Sequence, residues 1–167
     1  MLYELSRPEC EDLLRASTVV RVAFVAPDGP HIVPVNYAVV DDAVVLRTAS
    51  SSLLGVYGAG ALLALEIDGF DNASEQGWSV VVRGVGEVID DVSTGRVSLP
   101  RPRPWALGRK TRVLRVAWTE LSGRRTGSGW SVLNPSLISG QWFSAVRPLE
   151  LGERESLMPR VRRRLPW

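Results

Sequence analysis

The sequence predicts a mainly β protein, a compact six-stranded barrel with Greek-key topology and a few short helices. Short runs rich in Val, Leu and Ile follow one another at fairly even spacing, as in small barrels. Turn-forming residues separate the first three runs, at 27–30 and at 41–42. The segments with helical periodicity are few and short.

Two helices are predicted. Ser6 can cap the first one, with Glu9 as its capping-box partner and Pro8 tolerated in the first turn. We expect this helix to end near Ala16, where β-branched residues begin. Three glycines weaken a second helix predicted within residues 50–60. Cys10, the only cysteine, is expected to be an inert, half-buried residue of the first helix.

The six predicted strands cover residues 19–25, 31–40, 43–48, 61–67, 78–89 and 111–119. Pro34 should mark a bulge or a sheet edge, because proline cannot donate to a β-ladder. Gly84 and Gly86 should mark a bend or bulge in the fifth strand. The run 61–67, which is apolar except for Glu66, suggests a central strand buried on both faces. Residues 69–77 are polar and are expected to form a loop.

Composition favours a soluble, cytoplasmic protein. No apolar run reaches the roughly 18–20 residues that a membrane helix needs, and the first residues do not resemble a signal peptide. A single cysteine allows no internal disulfide, which fits a reducing compartment. We therefore expect no membrane partner.

The charge is unevenly distributed. Residues 1–100 carry 6 Arg and 14 acidic residues, a balance of −8, and residues 101–167 carry 13 Arg, 1 Lys and 4 acidic residues, a balance of +10. The basic half could be a solvated surface, which we favour, or a face for an anion or for a second copy. We expect no nucleic-acid partner, because no nucleic-acid motif is present and no aromatic residues alternate with the arginines.

The third predicted strand ends in residues suited to holding a phosphate. Arg47 and Thr48 close the strand, and the serine run Ser50, Ser51 and Ser52 follows. A guanidinium group, hydroxyls and free backbone N–H groups are typical phosphate donors. The serines could instead only cap the next helix, although capping and phosphate binding use the same N–H groups.

Motifs for other chemistry are missing from the sequence. No set of Cys, His, Asp and Glu has zinc spacing, so no metal site is predicted. The single histidine, His31, lies in no triad signature and is expected at the surface start of a strand. Since no catalytic acid or base stands out, the catalytic residues stay unknown.

Several segments, in this order, resemble the pyridoxamine 5′-phosphate oxidase-like, flavin-binding split-barrel family. They are Val33–Tyr37, the Asp41–Asp42 hairpin, Leu46–Ala49 and Gly77–Gly84. Further along, 114–116 and 122–124 resemble the closing strand of that family and the turn after it. The resemblance covers about residues 8–126.

The resemblance implies a split-barrel homodimer that binds FMN, or in some members F420 or heme, in clefts between the subunits. It implies an oxidoreductase that transfers hydride or electrons between a reduced cofactor and a small organic acceptor. The cofactor-binding residues that it implies are Val33, Pro34, Val35, Asn36, Arg47, Thr48, Ser50, Ser51, Ser52, Trp78, Ser79 and Arg83. Trp78 suits the core or an interface better than catalysis, and Arg83 suits an ion pair with Glu66 or Asp68.

One departure from the family pattern bears on the cofactor. Leu53 stands where the family usually has a lysine that meets the cofactor phosphate. Loss of one charge-assisted contact costs about 1.5–3 kcal/mol, which is roughly 10- to 150-fold in affinity. Three hypotheses follow: an FMN-dependent oxidoreductase, an F420-dependent reductase of the same fold, or a degenerate barrel that acts as a binding or scaffold protein.

The chain is predicted to divide near residue 126. Residues 1–126 form the split-barrel domain, and residues 127–167 form a Trp-, Pro- and Arg-rich extension that packs on the barrel or on the dimer partner. The large aromatic residues of the extension would be costly to expose: Trp130, Trp142, Phe143 and Trp167.

Overall fold

The computed structural model describes residues 2–72, 74–89 and 111–127. In this part of the chain there are two helices, α1 (Arg7–Ala16) and α2 (Leu53–Tyr57). The strands are β1 (Leu2–Glu4), β2 (Val19–Ala26), β3 (Gly29–Val40), β4 (Ala43–Thr48), β5 (Leu62–Asp71), β6 (Gln76–Val88), β7 (Arg112–Ala117) and β8 (Glu120–Thr126).

The strands form one antiparallel sheet that closes on itself. Their order is β1-β8-β6-β5-β2-β3-β4-β7, and β7 also pairs with β6. The ring therefore runs β6-β5-β2-β3-β4-β7-β6, with β8 and β1 continuing the sheet outside it. The predicted fold class, a mainly β barrel with a few short helices, is confirmed. Eight strands lie in the described ranges, two more than predicted.

Strand β6 belongs to both halves of the barrel. Its residues 77–83 pair with β8 and its residues 86–88 pair with β7. The change of partner falls at Gly84 and Gly86. A Cβ on Gly84 would lie 2.0 Å from the Ala117 carbonyl oxygen, and one on Gly86 would lie 2.1 Å from the Gly58 carbonyl oxygen. Only glycine allows the neighbouring backbone to approach so closely.

The core lies inside the ring and continues under α1. Alternate residues of the strands point inward, as the two-residue period of a strand requires. Helix α1 covers one side of the barrel with Leu13 and Leu14, which are fully buried. The buried Tyr37 hydroxyl donates to the Leu14 carbonyl oxygen at 2.7 Å and ties α1 to β3. The predicted capping box is present, since the Glu9 carboxylate accepts from the backbone N–H of Ser6 at 2.7 Å.

Several local predictions are wrong. The run 61–67 is not buried on both faces: β5 alternates between buried and less buried positions, and Leu62 is 69% exposed. Residues 69–77 are mostly strand, because β5 extends to Asp71 and β6 begins at Gln76. Residues 122–124 form the middle of β8, not a turn. Cys10 is fully buried instead of half-buried, at 1% exposure.

Some predictions fall outside the described residues. They concern the extension, of which residues 128–167 lie beyond the described ranges. Among the described residues, no helix is long and apolar enough to cross a membrane.

Candidate functional site

The barrel splits between β3 and β4. The two strands pair from the Asp41–Asp42 turn as far as Tyr37 opposite Leu46, and no further. Beyond that point residues 29–36 of β3 pair with β2, while Arg47 and Thr48 of β4 pair with β7. Residues 33–36 and 47–52 therefore border an opening between two strands that are neighbours in the ring. These are two of the segments that the family resemblance implies for the cofactor.

The β3 side of this opening is a strand edge. Among the described strands, residues 29–36 have a hydrogen-bonded neighbour on one side only. Pro34 lies on this edge, as expected for a residue that cannot donate to a ladder. Val33 and Val35 pack against the core, whereas Pro34 is exposed. The Asn36 side chain donates to the Thr18 carbonyl oxygen at 3.4 Å.

On the β4 side, Arg47 and Thr48 point to opposite faces, because successive strand residues alternate. Thr48 is buried, at 8% exposure, and its hydroxyl lies 2.7 Å from the Ser52 hydroxyl. Ser52 Oγ donates to the Ala49 carbonyl oxygen at 2.8 Å and accepts from the Gly55 backbone N–H at 3.1 Å. Since the one hydroxyl hydrogen of Ser52 goes to Ala49, Thr48 is the donor to Ser52.

Ser52 therefore caps the N-terminus of α2, which is the second role that the sequence allowed for this serine. The structure separates the predicted serine run into two kinds of residue. Ser52 is half-buried and bonded within its own turn, whereas Ser50 and Ser51 are exposed. Leu53, which stands in place of the family lysine, is 46% exposed at the start of α2.

Two residues of the β7 end join this turn. Arg112 lies opposite Thr48 in the β4–β7 ladder, and its Nη1 donates to the Gly55 carbonyl oxygen. The Thr111 hydroxyl donates to the Ser50 hydroxyl at 3.3 Å. Neither residue is among those predicted for the site. No local signal could have found them, because their position depends on the pairing of two strands far apart in the sequence.

Two described segments beside the opening carry arginines but no acidic residues. Residues 43–65 and 111–117 contain no Asp or Glu, yet they carry Arg47, Arg112 and Arg115. Arg115 is paired with Glu87 of β6 at 3.2 Å. Exposed hydroxyls together with guanidinium groups make a surrounding that favours an anion.

The Gly77–Gly84 segment places its predicted site residues on different faces of β6. Trp78 lies in the core, 2% exposed, and its Nε1 has no hydrogen-bond partner within the described ranges. Ser79 and Arg83 alternate onto the outer face, where Arg83 is exposed. The accessible side chains of this segment are therefore the outward ones, not the tryptophan.

The predicted ion pairs of Arg83 are wrong. Arg83 lies opposite Glu120 of β8 and pairs with it at 3.0 Å. Glu66 and Asp68 pair instead with Arg21 of β2, at 2.9 and 2.5 Å. The reason is the strand order, since Arg21 lies directly opposite Glu66. Burial raises the pKa of Glu66, and the nearby Asp68 raises it further.

His31 is half-buried rather than a simple surface residue. Its ring stacks on Phe24, with centroids 5.4 Å apart, and Nε2 lies 2.8 Å from Asp28 Oδ1. This hydrogen bond lowers the pKa of Asp28. The contacts hold the β2–β3 turn, and no group of three or more His, Cys, Asp or Glu suited to a metal occurs in the described part of the chain.

Solved structures share this architecture. The FAD binding protein from Mycobacterium smegmatis is 30% identical, with a TM-score of 0.59, and the match covers 76% of this chain and 100% of that one. A putative pyridoxamine 5′-phosphate oxidase from Corynebacterium glutamicum is 25% identical, with a TM-score of 0.61, covering 75% of this chain and 98% of that one.

A sequence relative and a family model also match this chain. The uncharacterized protein Rv0080 of Mycobacterium tuberculosis is 38% identical over 95 residues, 54% of this chain. That match spans 62% of the relative's length. The family model described as pyridoxamine 5′-phosphate oxidase matches residues 6–125, which include every strand of the ring and the opening between β3 and β4. This chain therefore belongs to the pyridoxamine 5′-phosphate oxidase-like family of split-barrel proteins.

Proposed function

We propose that this protein binds a flavin nucleotide at the opening between β3 and β4. It would use the flavin to transfer hydride or electrons between a reduced cofactor and a small organic acceptor in the cytoplasm. The observation that supports this most is the separation of the two strands after Tyr37 and Leu46, beside the described segments 43–65 and 111–117, which contain no Asp or Glu. The match to the whole length of an FAD binding protein from Mycobacterium smegmatis also supports it.

The residues beside the opening fit a phosphate group. Ser50 and Ser51 are exposed, and Thr111 lies within hydrogen-bond distance of Ser50. Arg47 and Arg112 bring positive charge from β4 and β7. Thr48 and Ser52 would contribute less directly, because their hydroxyl hydrogens are already donated within the turn. Their role would be to hold the shape of the loop that carries the exposed donors.

The residues on the β3 side fit the edge of a flavin ring. Pro34 and Asn36 turn their backbone groups toward the strand edge that β4 has left, whereas Val33 and Val35 bond to β2, on the side where the Tyr37 N–H donates to the Thr18 carbonyl oxygen. A bound flavin supplies the redox chemistry itself, so the protein needs to bind and orient it. This agrees with a sequence in which no catalytic acid or base can be named.

FMN is the flavin that the family resemblance implies, and FAD is the one named for the Mycobacterium smegmatis protein. Both carry an isoalloxazine ring and a phosphate, the two features that the opening would recognise. F420 is the alternative, with a longer anionic tail. We also propose a homodimer in which Ser79 and Arg83, outward-facing on β6, lie near the cofactor of the partner.

Purified protein tests this proposal directly. We expect a yellow protein with absorption near 375 and 450 nm (roughly, as for other flavoproteins), and chromatography of the released cofactor would identify it. Cofactor-free protein would then be titrated with FMN, FAD and F420. Tight binding of F420 alone would favour the F420-dependent reductase. Protein that binds none of the three would refute the proposal.

Arg47→Ala provides a residue-level test. We expect weaker binding of FMN by about 10-fold or more, the value of one charge-assisted contact, with an unchanged fold. Arg7→Ala is a matched control, because Arg7 pairs with Glu11 on α1, away from the opening. Equal affinities for FMN in wild type and Arg47→Ala would remove Arg47 from the site.

A degenerate barrel without a flavin is the second candidate. Exposed Leu53 offers no cation to a phosphate, and Thr48 and Ser52 bond to each other. In that case the protein would act as a binding or scaffold module. A colourless protein that binds neither flavins nor F420 is the result that this candidate predicts.

A further inference from the structure

The end of the sheet beside the β5–β6 connection carries an exposed row of side chains. Phe70 of β5 lies opposite Gly77 of β6. Thr126 of β8 lies opposite both Gly77 and Leu2 of β1. Residues directly opposite each other in antiparallel strands have neighbouring side chains on the same face. Phe70 is 52% exposed and Leu2 is 60% exposed, so two large apolar side chains of one row meet water. We call these four residues the end row.

The end row is uncharged, unlike the row beside it. The next row of the same face consists of Asp68, Ser79, Arg124 and Glu4. Three of its four residues are charged, as is usual for the solvated face of an antiparallel sheet. Within the end row, the Phe70 ring lies over Gly77, because a Cβ on Gly77 would collide with it. The ring therefore leans from β5 toward β8 and forms an uncharged surface with Thr126.

The chain leaves the sheet beside the end row. Strand β8 ends at Thr126, and Gly127 follows with a φ of 92°. A positive φ turns the chain away from the direction of the strand, and glycine adopts it without strain. Gly127 lies against the side chain of Gln76, where a Cβ would collide. The sequence after Gly127 therefore starts within two strands of both Phe70 and Leu2.

This sequence begins with an uncharged, apolar segment. Residues 128–146 contain no Asp, Glu, Lys or Arg, whereas the 6 Arg and 3 Glu that follow all lie within 147–167. The large apolar side chains of the uncharged segment are Trp130, Val132, Leu133, Leu137, Ile138, Trp142, Phe143 and Val146. Side chains of this size are stabilised when they are removed from water. The segment therefore needs an apolar surface, and the end row lies next to its start.

We propose that residues 128–146 turn back at Gly127 and bind across the end row, with the Trp130 indole packed on the Phe70 ring. Trp130 comes three residues after Gly127, a reach of up to about 10 Å. Phe70 lies two strands away from β8, which is about 9.6 Å, and its ring leans toward β8. The two aromatic rings can therefore meet while the sheet stays intact.

The composition of the end row favours this segment over other occupants. An anionic lipid surface requires basic residues, and a charged peptide requires opposite charges, but the end row offers neither. A segment that starts beside the row has an effective concentration in the millimolar range, well above that of a separate chain. Binding within one chain is therefore favoured over binding of a second copy.

Limited proteolysis of the full chain with chymotrypsin tests the contact. Chymotrypsin cuts after aromatic residues, and mass spectrometry would show cleavage after Trp130, Trp142 or Phe143. The rate of cleavage follows the population of the unbound segment, so we expect slow cleavage of the wild type and about 10-fold faster cleavage of Phe70→Ser. Leu62→Ser is the matched control, because Leu62 is 69% exposed at the other end of β5 and should leave the rate unchanged.

A second variant removes the other side of the contact. Trp130→Ser should raise the rate of amide hydrogen exchange within 131–146 about 10-fold, and circular dichroism would verify that the barrel is intact. Acceleration by Phe70→Ser and Trp130→Ser, but not by Leu62→Ser, supports the proposal.

Three other results overturn it. One is a wild type whose segment 128–146 is cut as fast as an unfolded peptide. Another is acceleration by only one of the two variants, or by the control as well. The third is protection that is lost on dilution, which would assign the end row to a second copy. Each result can be read without a bound flavin, so the proposed function is tested independently.

Discussion

Replacing Arg112 with glutamine tests the role of β7 in the proposed site. Arg112 lies opposite Thr48 and donates to the Gly55 carbonyl oxygen, so it reaches the turn that carries Ser50 and Ser51. Within the described ranges it has no carboxylate partner, unlike Arg115 on the same strand. A guanidinium group in that position can donate hydrogen bonds both to the turn and to a bound anion. Its effects on stability and on anion binding can be measured separately.

The structure sets the expected sizes of both effects. Loss of a hydrogen bond from a charged donor costs about 1.5–3 kcal/mol, and we expect the lower end for stability because Arg112 is only part-buried. If the same side chain also meets the phosphate, the dissociation constant for FMN should rise about 10- to 100-fold. Riboflavin has no phosphate, so its dissociation constant should change little.

Fluorescence titration with FMN and riboflavin, together with urea unfolding, measures these quantities. Arg115→Gln is the control, because its exposed pair with Glu87 is worth about 0–1 kcal/mol and should not affect either ligand. If Arg112→Gln weakens FMN and riboflavin equally, the residue only supports the fold of the turn. The assignment of Arg112 to the phosphate would then be refuted.

Three further predictions concern single residues. Leu53→Lys should strengthen FMN binding about 10-fold without a similar gain for riboflavin, because it restores a cation near the phosphate. An unchanged affinity in a titration with FMN would show that this turn is aligned wrongly with the family. Burial raises the pKa of Cys10 to about 11, so a thiol reagent at pH 8 should label Cys10 only after unfolding, and rapid labelling of the native protein would contradict its position. Hydrogen bonds from Ser6 lower the pKa of Glu9. The capping box therefore stabilises the fold at pH values above the ordinary pKa of a carboxyl group, and this contribution is lost as the pH falls through the lowered pKa. Glu9→Gln should therefore cost about 0.5–1 kcal/mol near neutral pH and much less in acid, and a pH-independent difference in urea unfolding would refute this.

The sequence predicts those parts of the fold that local residue patterns determine. The first helix begins after Ser6 and ends at Ala16 as expected, since a cap and a change to β-branched residues mark its ends. The hairpin at Asp41–Asp42 is also found, with Asp41 at a positive φ of 50°. Strand β8 was not predictable in this way, because Ser122, Gly123 and Arg124 have the composition of a turn and become strand only by pairing with β6.

The candidate site depends more on pairing than on local pattern. The segments at 33–36 and 47–52 were recognisable from the order of their residues, and the structure brings them to one opening. The sequence does not show that the side chains of Arg47 and Thr48 lie on opposite faces of β4. It also does not show that Thr111 and Arg112, at the β7 end, lie beside the turn that follows β4. It also does not reveal that Leu62 is exposed, because the apolar residues around it are typical of a strand buried on both faces.

The sharing of β6 between two sets of neighbours has a consequence for the energetics of the whole barrel. Strand β6 pairs with β5 and β8 along one stretch and with β7 along the next. Separating the two halves of the barrel would therefore break backbone hydrogen bonds of β6. Partial opening should be rare, and the molecule should lose its structure in a single cooperative transition. Amide protons along β6 would then exchange with solvent mainly through global unfolding, while the short α2 turn could fray independently.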